Sequence, residues 1–268
     1  MTSFDETIEY RGFNIEIHQD EIPSNPYEAY DFHAPALFYS QGSGLVEYDK
    51  CDGIADFFDR VTPSWVSRHW RKIVAIFGYS LGYTQTEFDA ICKERAKESG
   101  LTLGEARLFE FSEILDGENY GGRDDFFDLL EKLYTLAGYV CLSTSFCGYS
   151  QGDYIAAFAV STPAHKKKCG FAKGKDETPL SLETDLSTYA AWAFGDVFGY
   201  TIDGIDDASV WGFYGDNFEQ NGLLDYARPE IDAHIARLAR AKQAKVKALI
   251  KDRAPLAVRA RAVAQIAA

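Results

Sequence analysis

Two copies of one pentapeptide are the residues whose types and spacing most directly suggest chemistry in this chain. "GYSLG" spans residues 78–82 and "GYSQG" spans residues 148–152, and both match G-x-S-x-G. In α/β-hydrolases this pattern forms the sharp strand-to-helix turn that exposes a nucleophilic serine. The sequence therefore raises the hypothesis of a serine hydrolase with Ser80 or Ser150 as its nucleophile.

The residues around Ser80 fit that hypothesis only in part. The apolar run "RKIVAIFGYS" predicts a strand, and Thr84 with Glu87 predicts a capping box for the helix that follows. That helix begins about four residues after the serine. In a hydrolase the helix begins at the serine itself, so that its N-terminus stabilises the developing anion.

Ser150 and the available histidines fit less well. The residues after Ser150, "GDYIAAFAVST", predict a strand because they are rich in β-branched and aromatic side chains. His165 lies beside three lysines in a segment that we expect to be exposed, and His234 lies on a long predicted helix. Neither histidine lies in a loop after a predicted strand, where a triad histidine is usually found, so the serine hydrolase is kept only as an alternative.

Other patterns of catalytic or metal-binding residues are missing from the sequence. There is no P-loop, dinucleotide-binding or H-E-x-x-H motif. The five cysteines include no C-x-x-C pair, and we interpret them as buried thiols. A hairpin loop and the solvated face of a short helix explain two aspartate groups more simply than a bound cation does. These groups are Asp203, Asp206 and Asp207, and Asp52, Asp56 and Asp59. We predict no catalytic residue, metal or cofactor.

Charge is distributed unevenly along the chain, whose formal net charge is -14. From Arg228 to the end there are ten Lys or Arg and three Asp or Glu, a net charge of +7. The preceding residues contain 17 basic and 38 acidic side chains, a net charge of -21. Such an acidic body repels nucleic acids and membrane surfaces and favours basic protein surfaces as partners. Solubility is the simpler explanation of the same composition.

Two groups of charged residues are the candidate interaction sites. The first is acidic and is interpreted as a partner-binding face; it comprises Asp116, Glu118, Asp124, Asp125, Asp128, Asp203, Asp206, Asp207, Asp216 and Glu219. The second is a basic helix with Arg237, Arg240, Lys242, Lys245, Lys247 and Lys251. Such a helix can contact phosphates. We expect it to pack first on the acidic body of its own or a neighbouring chain, because that opposite charge is nearer.

The elements that position these residues are short strands, in adjacent pairs between blocks of helix. "TIEYRGFNIEIHQDE" predicts a hairpin turning at Arg11 and Gly12, and "VFGYTID" with "SVWGFYG" predicts another. Further strands are predicted for "PALFYS", "GLVEYD", "GYVCLSTS" and "DYIAAFAVST", and a short helix for "GIADFFDRV". Paired strands between helical blocks favour an α+β fold with antiparallel sheets over a doubly wound sheet.

Domain organisation follows from the same pattern. Pro229 is predicted to begin the long basic helix, because proline is favoured at the first helical position. We predict an acidic α+β body over residues 1–227 and a basic helical extension over residues 228–268. The tryptophans expected in the core are Trp65, Trp70, Trp192 and Trp211.

Three segments of the chain look familiar together. In chain order they are "EYRGFNIEIHQDEIPSNP", "LSTSFCGYSQGDYIAAFAVSTP" and "DVFGYTIDGIDDASVWGFYGDNFEQNGLLDYA". They resemble a family of bacteriophage and plasmid proteins in which "GYSQGD" precedes a strand and a "WGFYG" hairpin precedes a terminal helix. Residues 61–119 have no counterpart in the resemblance. The family has no established activity, so the resemblance implies only an accessory protein of a mobile genetic element.

These observations favour an interaction protein that inhibits a host defence complex of the restriction or CRISPR type. Its carboxylates would occupy a basic nucleic-acid channel in the place of phosphates. The alternatives are a nucleic-acid-associated accessory factor that uses the basic helix, and the serine hydrolase. The expected partner is a host protein with a basic surface, with homo-oligomerisation through the C-terminal helix as a second option.

The same sequence bears on where the protein acts. Direct nucleic-acid binding by the body is not expected, because its charge repels phosphates. No apolar run is long enough to span a membrane, and the acidic N-terminal residues do not form a signal peptide. We therefore expect the cytoplasm of a bacterial host.

Overall fold

A computed structural model describes most of the chain. The described residues are 5–30, 32–40, 44–48, 61–81, 84–118, 123–148, 153–170 and 178–253, with 255 and 258. The chain forms two compact units, Met1–Ser24 with Gly195–Ala268, and Asn25–Phe194. We call them the terminal unit and the central unit. The predicted helix "GIADFFDRV" and Asp52, Asp56 and Asp59 lie outside the described residues.

Strands and helices occur in the predicted mixture. The strands are β1 Asp5–Tyr10, β2 Phe13–Gln19, β3 Ala36–Ser40, β4 Gly44–Tyr48, β5 Val140–Cys147, β6 Tyr154–Ser161, β7 Val197–Ile202 and β8 Ser209–Tyr214. The described helices are α1 Pro26–Ala29, α2 Pro63–Leu81, α3 Gln85–Ser99, α4 Leu103–Glu118, α5 Arg123–Leu136, α6 Pro163–Lys168, α7 Pro179–Phe194 and α8 Leu223–Arg253. All pairs among these described strands are antiparallel. The predicted α+β class and the long C-terminal helix are confirmed.

The terminal unit contains the sheet β1-β2-β7-β8. Its opening hairpin turns at Arg11 and Gly12, with φ angles of 52° and 81°. Two consecutive left-handed residues are typical of the tight turn whose twist matches that of the flanking strands. Strand β2 then pairs with β7, which lies about 180 residues away in the chain. The sheet is therefore assembled from the two ends of the sequence.

Helix α8 packs on one face of this sheet. Its residues Leu223, Ala227 and Ile231 are fully buried at four-residue intervals and belong to one core with Ile15 and Tyr200. Burying these apolar groups is the main stabilising contribution to the unit, roughly 1.5–3 kcal/mol for each large side chain.

The predicted start of this helix at Pro229 is wrong, because α8 begins at Leu223. The Asn221 side chain accepts a hydrogen bond from the backbone N–H of Leu223 at 3.0 Å and so fixes the earlier start. Pro229 is an interior residue, and it removes one N–H that would otherwise bond to the carbonyl of Asp225. Residue 228 therefore marks a change of charge and lies inside a continuous helix. The boundaries between the two compact units lie after Ser24 and after Phe194.

The central unit has three layers. Its sheet has the order β4-β3-β6-β5. On one face, Ala156, Phe158 and Val160 of β6 pack with residues of α2 to α5. On the other, Ile155, Ala157 and Ala159 pack with α7. Because successive strand residues point to opposite faces, this burial on both sides explains the continuous apolar run in β6.

The predicted strand "RKIVAIFGYS" is wrong, because these residues belong to α2. Val66, Trp70, Ile73, Val74 and Phe77 of this helix are buried in one core. Their spacing of three and four residues is helical, whereas the five apolar residues before Gly78 taken alone fit a strand equally well. The predicted helix that follows is confirmed, with a capping box between Thr84 and Glu87.

Candidate protein-interaction site

The face of the terminal sheet opposite α8 carries a polar and aromatic surface. Pairing register and strand alternation bring nine residues to it. We call this set the open face; it consists of Thr7, Glu9, Asn14, Glu16, His18, Gly199, Thr201, Ser209 and Trp211. None of them is a lysine or arginine.

Trp211 is the largest side chain of the open face, and 48% of it is exposed. Its indole lies across Gly199, the residue with which it pairs in the ladder between β7 and β8. A Cβ atom on Gly199 would lie 2.3 Å from Cε3 of the indole. The glycine therefore provides the room in which the indole rests against the sheet, and the other surface of the ring faces solvent.

A β-bulge explains how Trp211 reaches this face. Phe198 pairs with Phe213 and Gly199 pairs with Trp211, so Gly212 is the extra residue on β8. Gly212 has a φ of 89°, as a bulge of this kind requires. Without the extra residue, Trp211 and Phe213 would lie on the same side of the strand. With it, Phe213 joins the buried core and Trp211 joins the open face.

His18 continues the aromatic surface and begins a chain of hydrogen bonds. Its ring is nearly parallel to the indole of Trp211, with centroids 6.3 Å apart and an angle of 28°. The Thr201 hydroxyl donates to Oε2 of Glu16 at 3.4 Å. That hydroxyl therefore accepts from Nε2 of His18, which lies 3.2 Å away. The Glu16 carboxylate is held 3.9 Å from the imidazole, and its side chain is about half exposed.

Three of the predicted acidic residues extend the open face at one end. Asp203, Asp206 and Asp207 are exposed in the turn between β7 and β8. The backbone N–H of Asp203 donates to the carbonyl of Asn14, a residue of the open face. Asp203 therefore lies beside Asn14, whose partner in the ladder is Glu9, and the turn adds three carboxylates at this end of the open face.

Asp216 and Glu219 lie at the opposite end of the same strands. Five residue steps along β7 separate the two ends by about 17 Å. Arg228 forms two hydrogen bonds with the Glu219 carboxylate, at 2.6 and 3.0 Å, and these bonds lower the pKa of Glu219. Burial and the nearby charge of Asp216 raise the pKa of Asp196. Glu219 is therefore already paired with a cation, and it lies at the other end of the sheet from Asp203, Asp206 and Asp207.

The other five predicted acidic residues belong to the central unit. Asp116 and Glu118 lie in the last turns of α4, and Asp124 and Asp125 lie in the first turn of α5. The structure describes only the backbone of these four. Asp128 is exposed on α5, and its Oδ1 lies 2.7 Å from the Ser143 hydroxyl oxygen. Oε2 of Glu131 lies beside the same hydroxyl, which has one proton to donate, and it also accepts a hydrogen bond from the backbone N–H of Ser143 at 2.6 Å.

The two G-x-S-x-G serines do not form a hydrolase turn in the described residues. Ser80 lies in α2, one residue before its end, so the strand that an elbow requires is missing there. Ser150 lies outside the described residues. His165, predicted to be exposed, is fully buried in α6, where the Thr162 side chain caps the helix through the His165 N–H at 3.1 Å. His234 lies on α8 as predicted and contacts the Phe13 ring edge-on.

Two polar clusters of the central unit also have the residue types of catalytic sites. Cys169 Sγ lies 3.6 and 3.7 Å from the two ring nitrogens of His165, and Sγ donates to the carbonyl of Phe32 at 3.3 Å. Nearly equal distances to both nitrogens place the sulfur away from the lone-pair direction of either. The second cluster pairs the buried His33 with Asp185 at 3.4 Å, and Tyr27 stacks on His33. The His33 cluster is surrounded by the aromatic rings of Tyr27, Tyr30 and Phe32, and we assign both clusters a structural role.

The cysteines and tryptophans depart in part from the predicted burial. Cys92 and Cys141 are buried, but Cys147 is exposed. Trp70 is buried as predicted, whereas Trp65 and Trp192 are only partly buried. Cys51 lies outside the described residues.

The predicted basic helix is present and largely exposed. Beyond Ile235, α8 continues for 18 residues, about 27 Å. Of the six predicted basic residues in this part, Lys247 is half-buried. The other five are exposed: Arg237, Arg240, Lys242, Lys245 and Lys251. None of the six forms an ion pair within the described part of the chain. The expected packing of this helix on the acidic body of its own or a neighbouring chain stays a prediction.

Comparison with known proteins gives no relative. No family model, curated protein or solved structure matches the chain. Within the described residues, no helix is long and apolar enough to cross a membrane. The same residues contain no group of three or more His, Cys, Asp or Glu side chains placed to hold a metal ion. The resemblance to mobile-element proteins stays a prediction.

Sequence reasoning missed the central residues of the open face. The alternation in β2 correctly placed Asn14, Glu16 and His18 on one side of the strand. It did not indicate that Trp211 would join them, because the bulge at Gly212 reverses the alternation that begins with Val210. The available signal was the pair of glycines that flank the aromatic residues in "WGFYG".

Proposed function

We propose that this protein acts by binding a partner protein with a basic surface, and that the open face with the adjoining Asp203, Asp206 and Asp207 is its binding surface. One observation carries the proposal: an exposed tryptophan lies on a glycine amid carboxylates, on a face without lysine or arginine. Tryptophan anchors are enriched in interface hot spots, and complementary charge directs the choice of partner.

The fuller form of the proposal is inhibition of a host defence complex. Nucleic-acid-binding proteins present basic surfaces, because their Lys and Arg side chains must bind phosphates. The resemblance to phage and plasmid proteins suggests a restriction or CRISPR-type complex as the target. The open-face carboxylates would then occupy a site that otherwise binds nucleic acid.

A capture experiment tests this function. The immobilised protein should retain a nucleic-acid-binding complex from a bacterial lysate, identified by mass spectrometry, and should block that complex's binding to DNA. A variant with Glu9→Gln, Glu16→Gln and Asp206→Asn should lose both effects. Glu94→Gln, Glu98→Gln and Glu113→Gln, which neutralise three exposed carboxylates of α3 and α4, form the matched control. If the captured proteins do not bind nucleic acid, or if capture survives in the open-face variant, the proposal fails.

The predicted acidic residues of the central unit supply a second comparison. Reversing the charge at Asp124, Asp125 and Asp128 should leave capture unchanged if the open face is the binding surface. Loss of capture in this variant alone would move the interaction to α5.

A nucleic-acid-associated role for α8 is the second candidate, and the exposure of its basic residues favours it. Affinity for DNA should then fall steeply as salt rises, since each neutralised phosphate releases counterions. Lys245→Ala with Lys247→Ala should weaken binding and reduce the salt slope. DNA binding that is absent at low salt would exclude this candidate.

A serine hydrolase is the third candidate function, and no contact among the described residues favours it. Labelling by a fluorophosphonate probe that requires Ser80 or Ser150 would revive it. We expect no labelling at Ser80, because a helical backbone cannot form the strand-to-helix elbow.

A further inference from the structure

The exposed surface of the Trp211 indole is a ready acceptor for a cation. One side of the ring rests on Gly199, and the other meets solvent. The face of an indole is the strongest aromatic acceptor of cations among the side chains. The nine residues of the open face include carboxylates and no lysine or arginine. None of them can therefore place a lysine or arginine cation on the exposed surface of the indole.

A carboxylate is held beside this aromatic surface. The path from the indole to Glu16 runs through the imidazole of His18, which is nearly parallel to the indole and 3.9 Å from Oε2 of Glu16. The Thr201 hydroxyl occupies one hydrogen-bonding position of that oxygen. A carboxylate accepts several hydrogen bonds, so positions are left for a further donor.

The geometry points to an arginine of the partner as the group that binds here. We propose that its guanidinium stacks on Trp211 and donates to Glu16, which makes Trp211, His18 and Glu16 a guanidinium site within the open face. A planar guanidinium can stack on a ring and donate to a carboxylate at once, whereas the ammonium of lysine is a strongly hydrated point charge. This inference rests on the proposed function, and it names the side chain that the surface selects.

Two peptides of equal charge test the choice. Binding of the purified full-length protein to hexa-arginine and to hexa-lysine is measured by calorimetry at low salt. The arginine peptide should bind about 2- to 5-fold more tightly, the range expected for one cation–π contact at an exposed site. Trp211→Leu should abolish the preference. Glu16→Gln should reduce it while leaving the indole in place.

Controls separate this inference from the proposed function. Tyr226→Leu removes an exposed aromatic ring from α8, on the other side of the same sheet, and should leave the preference unchanged. Urea unfolding of each variant establishes that it is folded. Asp206→Asn with Asp207→Asn should weaken both peptides equally.

Each outcome decides one of the two claims. Equal affinity for both peptides, or an arginine preference that persists in Trp211→Leu, would exclude the guanidinium site. The role of Trp211 would then be only to pack over Gly199. If the aspartate variant still weakens both peptides, the proposed function survives that result. If neither peptide binds, or if no open-face substitution changes the affinity, both the proposed function and the guanidinium site are excluded.

Discussion

The indole of Trp211 lies so close to the α-carbon of Gly199 that a single added methyl group would overlap it. A Cβ atom built on Gly199 lies 2.3 Å from Cε3 and 2.4 Å from Cδ2 of the ring. The two residues are direct partners in the antiparallel ladder. The glycine and the tryptophan are therefore coupled, and substituting one should change the effect of substituting the other.

Gly199→Ala should destabilise the protein by about 1–3 kcal/mol, because the methyl group displaces the indole. In a Trp211→Ala background the sign should reverse. The clash is then absent, and alanine stabilises a strand by roughly 0.5–1 kcal/mol relative to glycine. Urea unfolding of the two single variants and the double variant measures this coupling. Additive effects would contradict the described contact.

Asp196→Asn should stabilise the protein at neutral pH. Burial, and secondly the charge of Asp216, raise the Asp196 pKa above its ordinary value of 3.8. The folded state therefore holds this proton to higher pH than the unfolded chain does, and its stability falls as pH rises through the folded pKa. The increase in Tm should be present at pH 7 and vanish below pH 3.8, where Asp196 is protonated in both states.

Asp206 is exposed. Asp206→Asn is therefore the control for the change in Tm that follows from removing any negative charge from an acidic protein. An equal gain in Tm from both variants would show that the Asp196 environment has no specific effect.

The shared hydroxyl of Ser143 gives a second pair of opposed predictions. One hydroxyl proton serves only one of the two carboxylates that lie beside it, Asp128 and Glu131. Asp128→Asn supplies an amide donor to the hydroxyl oxygen, so we expect stabilisation of about 0.5 kcal/mol. Glu131→Gln weakens the acceptor for both the hydroxyl and the backbone N–H of Ser143, and it should destabilise by about 1 kcal/mol.

Chemical unfolding of these two variants checks the assignment. A destabilising Asp128→Asn would mean that the Asp128 carboxylate is the preferred acceptor of the proton.

The thiols should react in a fixed order. Burial raises the pKa of Cys92 and of Cys141 to about 11, so both stay protonated near neutral pH. Cys147 is exposed and should be alkylated by iodoacetamide more than about tenfold faster than either. Peptide mass spectrometry resolves the individual sites. In urea the difference should disappear, and labelling of native Cys92 or Cys141 at the rate of Cys147 would refute the burial.

Several elements could be predicted because their determinants are local. The Arg11-Gly12 turn, the capping box at Thr84 and the alternation of β2 depend on residues within a few positions of one another. The prediction of a strand before Ser80 failed for a related reason. Five consecutive apolar residues fit both the two-residue period of a strand and the 3.6-residue period of a helix. Only the buried positions from Val66 to Phe77 show that the helical period applies.

By itself, then, the sequence determined the α+β class, the hairpins, the long C-terminal helix and the separation of acidic from basic residues. Only the tertiary structure decided which charges share a surface. Pairing of β2 with β7 brings Glu16 and His18 beside Thr201 and Gly199, and one bulge at Gly212 turns Trp211 out of the core. These are contacts between residues about 180 positions apart, and the periodicity of a short segment carries no information about its distant partner.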